Sequence, residues 1–149
     1  MPLAVVEFQV ADPADVWQRA GFDVGADSVC RTGGVGIRLT GRGQGAGITG
    51  WSLAGLPADS VIDDLDGVAT SRSDLVDANP GTHPNGVIAV DHVVLSSPDL
   101  DRTVRALAAV GAEPRRQRDG TLGGTPMRQI FYRFGEVIVE VVGSAETTG

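Results

Sequence analysis

The chain has 149 residues, of which 42% are hydrophobic and 21% charged, a composition typical of one globular domain rather than of a disordered segment. Its 12 basic residues, all arginine, stand against 19 acidic ones and give a net charge of −7, so a phosphate backbone would be repelled and nucleic acid is not expected as a partner. The sequence contains no lysine, which excludes Schiff-base catalysis and the lysine-dependent phosphate loop of nucleotide hydrolases.

The sequence also bears on membrane insertion, export and disulfide formation. No run approaches the roughly 18 apolar residues that a membrane span needs, and the first residues lack a basic region followed by an apolar one. The single cysteine, Cys30, excludes an internal disulfide, and with no basic partner nearby in sequence it is interpreted as a small buried apolar residue. We expect a cytoplasmic protein that does not bind membranes.

The first elements in chain order are a strand and a short helix. Residues 4–10 alternate in polarity, which predicts a strand with Glu7 and Gln9 on one face. Asp12 followed by Pro13 is typical of a helix start, and Gly21 of a helix end, so a helix is predicted over 13–20. Short strands are predicted over 28–32 and 35–40, on either side of two glycines.

The middle of the chain fits no simple pattern. Residues 48–53 predict either an extra strand or the closing strand of the first half, in which case Ser52 rather than Arg38 would face Glu140. Gly45 to Gly50 spells a dinucleotide-binding fingerprint, but no helix is predicted to follow it. Residues 57–86 are rich in Asp, Ser, Pro and Gly and are interpreted as a connector, with a short helix at 58–66 and His83 in a surface turn.

The last third repeats the order of the first. A strand over 89–95 leads through Ser97 and Pro98 into a helix over 98–110, and strands over 112–118, 127–134 and 136–142 follow. Aligning the two halves places Glu7 on His92 and Arg38 on Glu140. In a fold built from two similar copies, the functional site usually lies where the copies meet. These four positions are therefore the first candidates for function.

The second copy resembles the module of the vicinal oxygen chelate superfamily, which includes glyoxalase I, extradiol dioxygenases and the bleomycin-binding proteins. The resemblance lies in residues 88–95, 97–101 and 134–142, and more weakly in residues 3–41. It implies a single α+β domain in which two βαβββ modules form a curved mixed sheet around a central cavity. Module one would span about 3–56, the connector 57–86 and module two 87–143.

The same resemblance implies a metal site, because family members take ligands from the first and last strands of their modules. Carried over by position, His92, Glu140 and Glu7 match those places, and one imidazole with two carboxylates suits Fe, Mn, Ni, Co or Zn. Arg38 departs from the pattern, since a guanidinium cannot ligate a metal and would instead neutralise Glu7 or Glu140. The metal-free state is therefore slightly favoured.

Each candidate also has a structural interpretation. Glu140 could form an ion pair with Arg38, His92 could be a hydrogen-bonded core histidine, and Glu7 could be a solvated strand residue. These alternatives stay open at the level of the sequence.

Two functions follow from this pattern. One is a glyoxalase-like enzyme whose metal polarises vicinal oxygens for isomerase, lyase or ring-opening dioxygenase chemistry. The other is a metal-free binding protein of the bleomycin-resistance type, with Glu7, Glu140 and the net negative charge attracting a cationic small molecule. Candidate ligand-lining residues are Gln9, Trp51, Ser52, Phe131 and Tyr132. A homodimer is expected because module one has little apolar surface of its own, and a degenerate module serving only dimerisation is a third interpretation.

Overall fold

The computed structural model describes residues 2–59, 61–74 and 80–145. Within these ranges the chain forms two α-helices and ten β-strands, with a short 3-10 turn at Arg42–Gln44. The helices are α1 (Ala14–Arg19) and α2 (Leu100–Ala109). The strands are β1 (Ala4–Val10), β2 (Val29–Thr32), β3 (Val35–Leu39), β4 (Ile48–Ala54), β5 (Asp64–Leu65), β6 (Val68–Arg72), β7 (His92–Ser96), β8 (Arg116–Leu122), β9 (Thr125–Phe134) and β10 (Val137–Ser144).

In chain order each half runs strand, helix and three strands, as β1-α1-β2-β3-β4 and β7-α2-β8-β9-β10, although by strand pairing β3 and not β4 is the counterpart of β10. The predicted α+β fold of two βαβββ modules is thus confirmed. The strands divide between two mixed sheets, which we call sheet A, with the order β2-β3-β1-β4-β6-β5, and sheet B, with the order β7-β10-β9-β8. None of the helices in the described ranges has the length and apolar character needed to cross a membrane.

The registers of the two sheets agree with the sequence repeat. Strand β1 runs parallel to β3 with Glu7 beside Gly36, and β7 runs parallel to β10 with His92 beside Ile138. Two residues further along, β3 carries Arg38 and β10 carries Glu140, so these two occupy matching places.

The two halves differ in the number of strands that pair with their first strand. Strand β4 pairs antiparallel with β1, with Ser52 opposite Glu7, so β1 is an interior strand whereas β7 is an edge strand. Strand β6 then pairs parallel with β4. Ser52 and Arg38 therefore flank Glu7 from its two neighbouring strands, and it is β3 that takes the place of β10.

Part of the predicted connector belongs to sheet A. The helix predicted at 58–66 was wrong, because β5 begins within it; Ser60 lies outside the described residues. A hairpin forms instead, in which Asp66 and Gly67 have φ values of 51° and 92°. An Asp-Gly pair favours this two-residue turn because both positions need positive φ.

The core joins the two sheets through a chain of aromatic rings. The ring centres of Phe8 in β1 and Trp51 in β4 are 6.4 Å apart, and those of Trp51 and Phe134 in β9 are 5.6 Å apart. Helix α2 packs on β10 at Gly143, where a Cβ atom would lie only 2.7 Å from Leu100. Successive side chains of a strand point to opposite faces of its sheet. In each sheet one face therefore packs in the core, and the candidate polar residues lie on the other face.

His83 belongs to the interior and not to the surface turn that the sequence predicted. It is only 5% exposed, and its Nδ1 accepts a hydrogen bond of 2.9 Å from the backbone N–H of Asp23. Its Nε2 lies 3.0 Å from the carbonyl oxygen of Arg31 and 3.9 Å from the Cys30 sulfur. Because Nδ1 accepts this hydrogen bond, Nε2 is the ring nitrogen that can donate to the Arg31 carbonyl. This ring ties the segment before β7 to sheet A, and burial raises the pKa of the Cys30 thiol beside it.

Candidate functional site

The candidate site lies on the face of sheet B opposite the core, which we call the His92 face. Three rows of side chains run across its strands at adjacent levels of the pairing register. The rows are His92–Ile138–Arg133, Val94–Glu140–Phe131–Arg116 and Ser96–Val142–Gln129–Arg118. Residues far apart in sequence thereby share one surface.

A cavity of about 420 Å³ opens on this face. A volume of roughly 300–1,000 Å³ is usual for small-molecule sites. Its apolar side chains are Ile138 and the half-buried Phe131, and its polar border contains His92, Glu140 and arginines. The cavity therefore has room for a small organic molecule with both an apolar and a polar part.

Positive charge dominates the border of the cavity. Arg115, Arg116 and Arg133 all line it, and none of the three forms an ion pair with a carboxylate among the described residues. The guanidinium carbon of Arg116 lies 5.6 Å from the centre of the Phe131 ring, which holds that side chain over the cavity wall. The cavity is therefore lined by three guanidinium groups and two carboxylates, those of Asp91 and Glu140.

The two acidic residues of the cavity are already engaged. Glu140 is only 9% exposed within the valine run of β10, and Gln129 Nε2 donates a hydrogen bond of 2.5 Å to its Oε1. Asp91 Oδ2 lies 2.8 Å from His92 Nδ1, and the His92 side chain is 48% exposed. The buried carboxylate is thus satisfied by an amide rather than by Arg38.

Glu7 lies in a separate polar cluster on sheet A. Arg38 Nε and Nη2 donate to its two carboxylate oxygens at 2.7 and 3.1 Å, and Gln9 Nε2 donates to Glu7 Oε1 at 3.0 Å and to Ser52 Oγ at 3.3 Å. The hydrogen bond with Glu7 raises the pKa of Arg38. A smaller cavity of about 90 Å³ lies beside Glu7 and Gly36.

The three predicted metal ligands are not brought together by a single chain. His92 and Glu140 border one cavity, whereas Glu7 borders another and is held by Arg38. In the described ranges, no group of three His, Cys, Asp or Glu side chains is arranged to hold a metal ion. Within the part of the chain that the structure describes, Glu7, His92 and Glu140 therefore do not form a centre with three protein ligands.

The other predicted lining residues divide between the surface and the core. Phe131 faces the cavity, whereas Trp51 is 3% exposed and donates through Nε1 to Thr70 Oγ1 at 2.9 Å. Tyr132 borders the cavity, but its ring is 1% exposed and packs edge-on against Phe134 in the core. Sequence reasoning placed Trp51 and Tyr132 at the ligand because it could not assign strand faces in these segments.

The site residues that the sequence did not predict are Arg115, Arg116 and Arg133. Alternation along β9 would have placed Arg133 on the same face as Phe131, two residues earlier. No local pattern places Arg115 and Arg116 beside them, because that contact depends on the pairing of β8 with β9.

Neither protein-family models nor curated proteins matched the sequence. Among solved structures, a mutant of 4-hydroxymandelate synthase from Streptomyces coelicolor is similar with a TM-score of 0.62 and 12% identity, over 97% of this chain and 64% of that one. A fusion protein of a xylose isomerase-like TIM barrel and 4-hydroxyphenylpyruvate dioxygenase is similar with a TM-score of 0.53 and 14% identity, over 96% of this chain and 32% of that one.

Both neighbours belong to the superfamily that the second copy resembles, and the likeness extends over nearly all of this chain. This chain has the vicinal oxygen chelate fold. At identities of 12% and 14% the likeness concerns the fold alone, and the chain spans less than two thirds of the length of either neighbour. Function in a vicinal oxygen chelate fold has to be argued from the site itself.

Proposed function

We propose that this protein binds a small organic anion with a flat apolar body on the His92 face, and that it acts as a ligand-binding member of the glyoxalase-like group. The observation that carries the proposal is the set of three guanidinium groups that border one cavity and form no ion pair with a carboxylate among the described residues. Arginine binds carboxylates through two parallel hydrogen bonds, so a carboxylate is the expected anionic group.

The rest of the cavity supports an aromatic acid. Phe131 and Ile138 offer apolar surface to a ring, and Arg116 lies where it could reach the acid group. Glu140 has further acceptor positions beside the one that Gln129 uses, so a hydroxyl group on the ligand could donate to it. The names of the two structural neighbours also contain aromatic acids, 4-hydroxymandelate and 4-hydroxyphenylpyruvate.

Binding of matched probes tests this proposal. Isothermal titration would compare 4-hydroxyphenylacetate with its uncharged amide and with the cationic amine tyramine. We expect saturable binding of the acid, weaker by about tenfold for Arg116→Gln or Arg133→Gln, because one charge-assisted hydrogen bond is worth about 1.5–3 kcal/mol. Arg105→Gln, on the exposed side of α2, is the control and should leave the affinity unchanged.

Two results would overturn the anion proposal. Equal affinity for the acid and the amide would show that the arginines do not recognise charge. Preferential binding of tyramine would instead favour the cationic ligand that the net charge of −7 suggested.

A metal-dependent enzyme is the second candidate, and one observation favours it. His92 and Glu140 border the same cavity, so two of the three predicted ligands share a site. A third ligand would have to come from outside this arrangement, since Arg38 holds Glu7. Elemental analysis of protein purified without a metal-affinity tag is the test. Stoichiometric Fe, Mn, Ni, Co or Zn that is lost in His92→Ala would replace the binding proposal with the enzyme.

A further inference from the structure

A second cavity lies on the face of β7 opposite His92. It has a volume of about 390 Å³ and is lined by residues of β1, β2, β3, α1, the start of β4, β7 and the segment that leads into β7. It shares no lining residue with the cavity of the His92 face. Strand β7 separates the two, because His92 borders one cavity and its neighbour Val93 borders the other. We call this space the helix-side cavity.

None of the residues that line the helix-side cavity carries a charged side chain. Apart from one threonine and one glycine, every residue that lines it is apolar. The lining consists of Phe8, Val10, Trp17, Phe22, Thr32, Ile37, Gly47, Ile48, Val87, Ala89, Val90 and Val93. A charged ligand would lose its hydration here without gaining a partner.

The two side chains on these walls that carry a polar atom, Trp17 and Thr32, already have partners. Trp17 Nε1 donates to Asp12 Oδ2 at 2.9 Å, and the Thr32 hydroxyl lies 3.2 Å from His83 Nε2. A ligand therefore does not need to supply hydrogen bonds to either side chain. The walls accept an uncharged apolar molecule and offer little to a polar one.

The aromatic walls are also held in place. The ring centres of Trp17 and Phe22 are 4.8 Å apart, and Phe22 lies 5.3 Å from the buried His83 ring in an edge-on arrangement. Together with the bond from Trp17 to Asp12, these contacts fix both rings before any ligand arrives. A preformed cavity lowers the entropic cost of binding.

We propose that the helix-side cavity is a second binding site, which takes an uncharged aromatic or aliphatic molecule. Its volume lies within the usual range of roughly 300–1,000 Å³, and apolar cavities bind benzene-like molecules because these displace poorly bound water or fill empty space. Ile48 is 49% exposed and Ala89 is exposed, so the cavity opens to solvent beside them. This site is independent of the proposed anion site.

Methyl NMR of the full chain tests the inference with p-xylene as the probe and 4-methylbenzoate as its anionic counterpart. We expect the methyl signals of Ile37 and Ile48 to shift saturably with p-xylene, while Ile130 in the core and Ile138 on the His92 face stay in place. 4-Methylbenzoate should shift Ile37 and Ile48 at least tenfold more weakly. Ile37 and Ile48 line only the helix-side cavity, so failure of the anion proposal would leave their expected shifts unchanged.

Two variants and one control locate the site. Ala89→Phe fills the cavity and Ile48→Lys places a charge at its opening, and each should weaken p-xylene binding at least tenfold; Ile48→Lys covers the case in which Ala89→Phe does not fold. Ala108→Phe, an equally large change on an exposed part of α2, should leave binding unaltered.

Several outcomes would overturn the inference. These are no saturable shift at Ile37 and Ile48, a shift confined to Ile138, or unchanged affinity in a folded Ala89→Phe or Ile48→Lys protein. Shifts of Ile48 that change on dilution without p-xylene would show that a second copy of the chain covers the cavity, and this too would overturn it.

Discussion

Thr103 anchors the start of α2 to the β5–β6 hairpin, and its replacement by valine gives the sharpest test of the packing between the modules. Thr103 is fully buried, and its hydroxyl donates to a carboxylate oxygen of Asp66. The same hydroxyl lies 2.6 Å from Ser97 Oγ, which in turn accepts from the N–H of Asp99 at 3.1 Å. A chain of three hydrogen bonds thus ends on the Asp66 carboxylate.

The expected cost follows from the burial of this pair. The Asp66 side chain is only 8% exposed, and a hydrogen bond to a charged group contributes about 1.5–3 kcal/mol. Valine has nearly the shape of threonine, so no cavity adds to this loss. Arg102 Nε, 2.8 Å from Asp66 Oδ1, remains as a partner, but its side chain is 50% exposed and it compensates little. We expect Thr103→Val to lower the free energy of unfolding by about 2 kcal/mol and the melting temperature by about 4–8 °C.

The loss should depend on pH. Burial raises the pKa of Asp66, but the hydrogen bonds from Thr103 and Arg102 outweigh this and leave the pKa below its ordinary value. A carboxyl group with a lowered pKa in the folded state stabilises the protein above its unfolded pKa of about 3.9, and the contribution disappears as the pH falls through the folded pKa. The difference between wild type and Thr103→Val should therefore be full at pH 7 and smaller at pH 3.

Urea unfolding at the two pH values measures both effects. Thr125→Val, on an exposed part of β9, is the matched control and should change the free energy of unfolding by less than about 0.5 kcal/mol. A Thr103→Val protein as stable as this control would refute the reasoning, as would a loss that is the same at pH 3 and pH 7.

Three further predictions concern other parts of the fold. Tyr132→Phe should leave the free energy of unfolding unchanged or raise it by as much as about 1–3 kcal/mol. The reason is that the Tyr132 hydroxyl is the one buried side-chain polar atom of the described residues without a hydrogen-bond partner. A marked loss of stability in thermal unfolding would contradict this and show that the hydroxyl has a partner. Arg38→Ala should cost only about 1 kcal/mol or less in urea unfolding, since the Arg38 side chain is 45% exposed and its pair with Glu7 is screened by solvent; a loss above about 2 kcal/mol would contradict this estimate. The homodimer expected from the small first module stays a prediction, and light scattering that reports a stable monomer of 15.4 kDa at high micromolar concentration would disprove it.

Local patterns predicted the elements that the two halves share, but not β5 and β6. The alternation in residues 4–10 and 137–142, the helix signals near Pro13 and Pro98 and the two glycine-bounded helix ends predicted the βαβββ order in both halves. The matching of Arg38 with Glu140 was one of two alternatives that the alignment of the apolar runs offered, and the strand pairing selects it over Ser52.

Tertiary structure decided what no local pattern could contain. Which edge of β1 accepts β4, and so whether β1 can meet β7, depends on hydrogen bonds between strands about 40 residues apart. The burial of His83 and Trp51, and the gathering of Arg115, Arg116 and Arg133 around one cavity, depend on which sheet face each segment reaches. A sequence specifies the period of a strand through neighbouring residues, but the partner and the face are chosen by the packing of the whole chain.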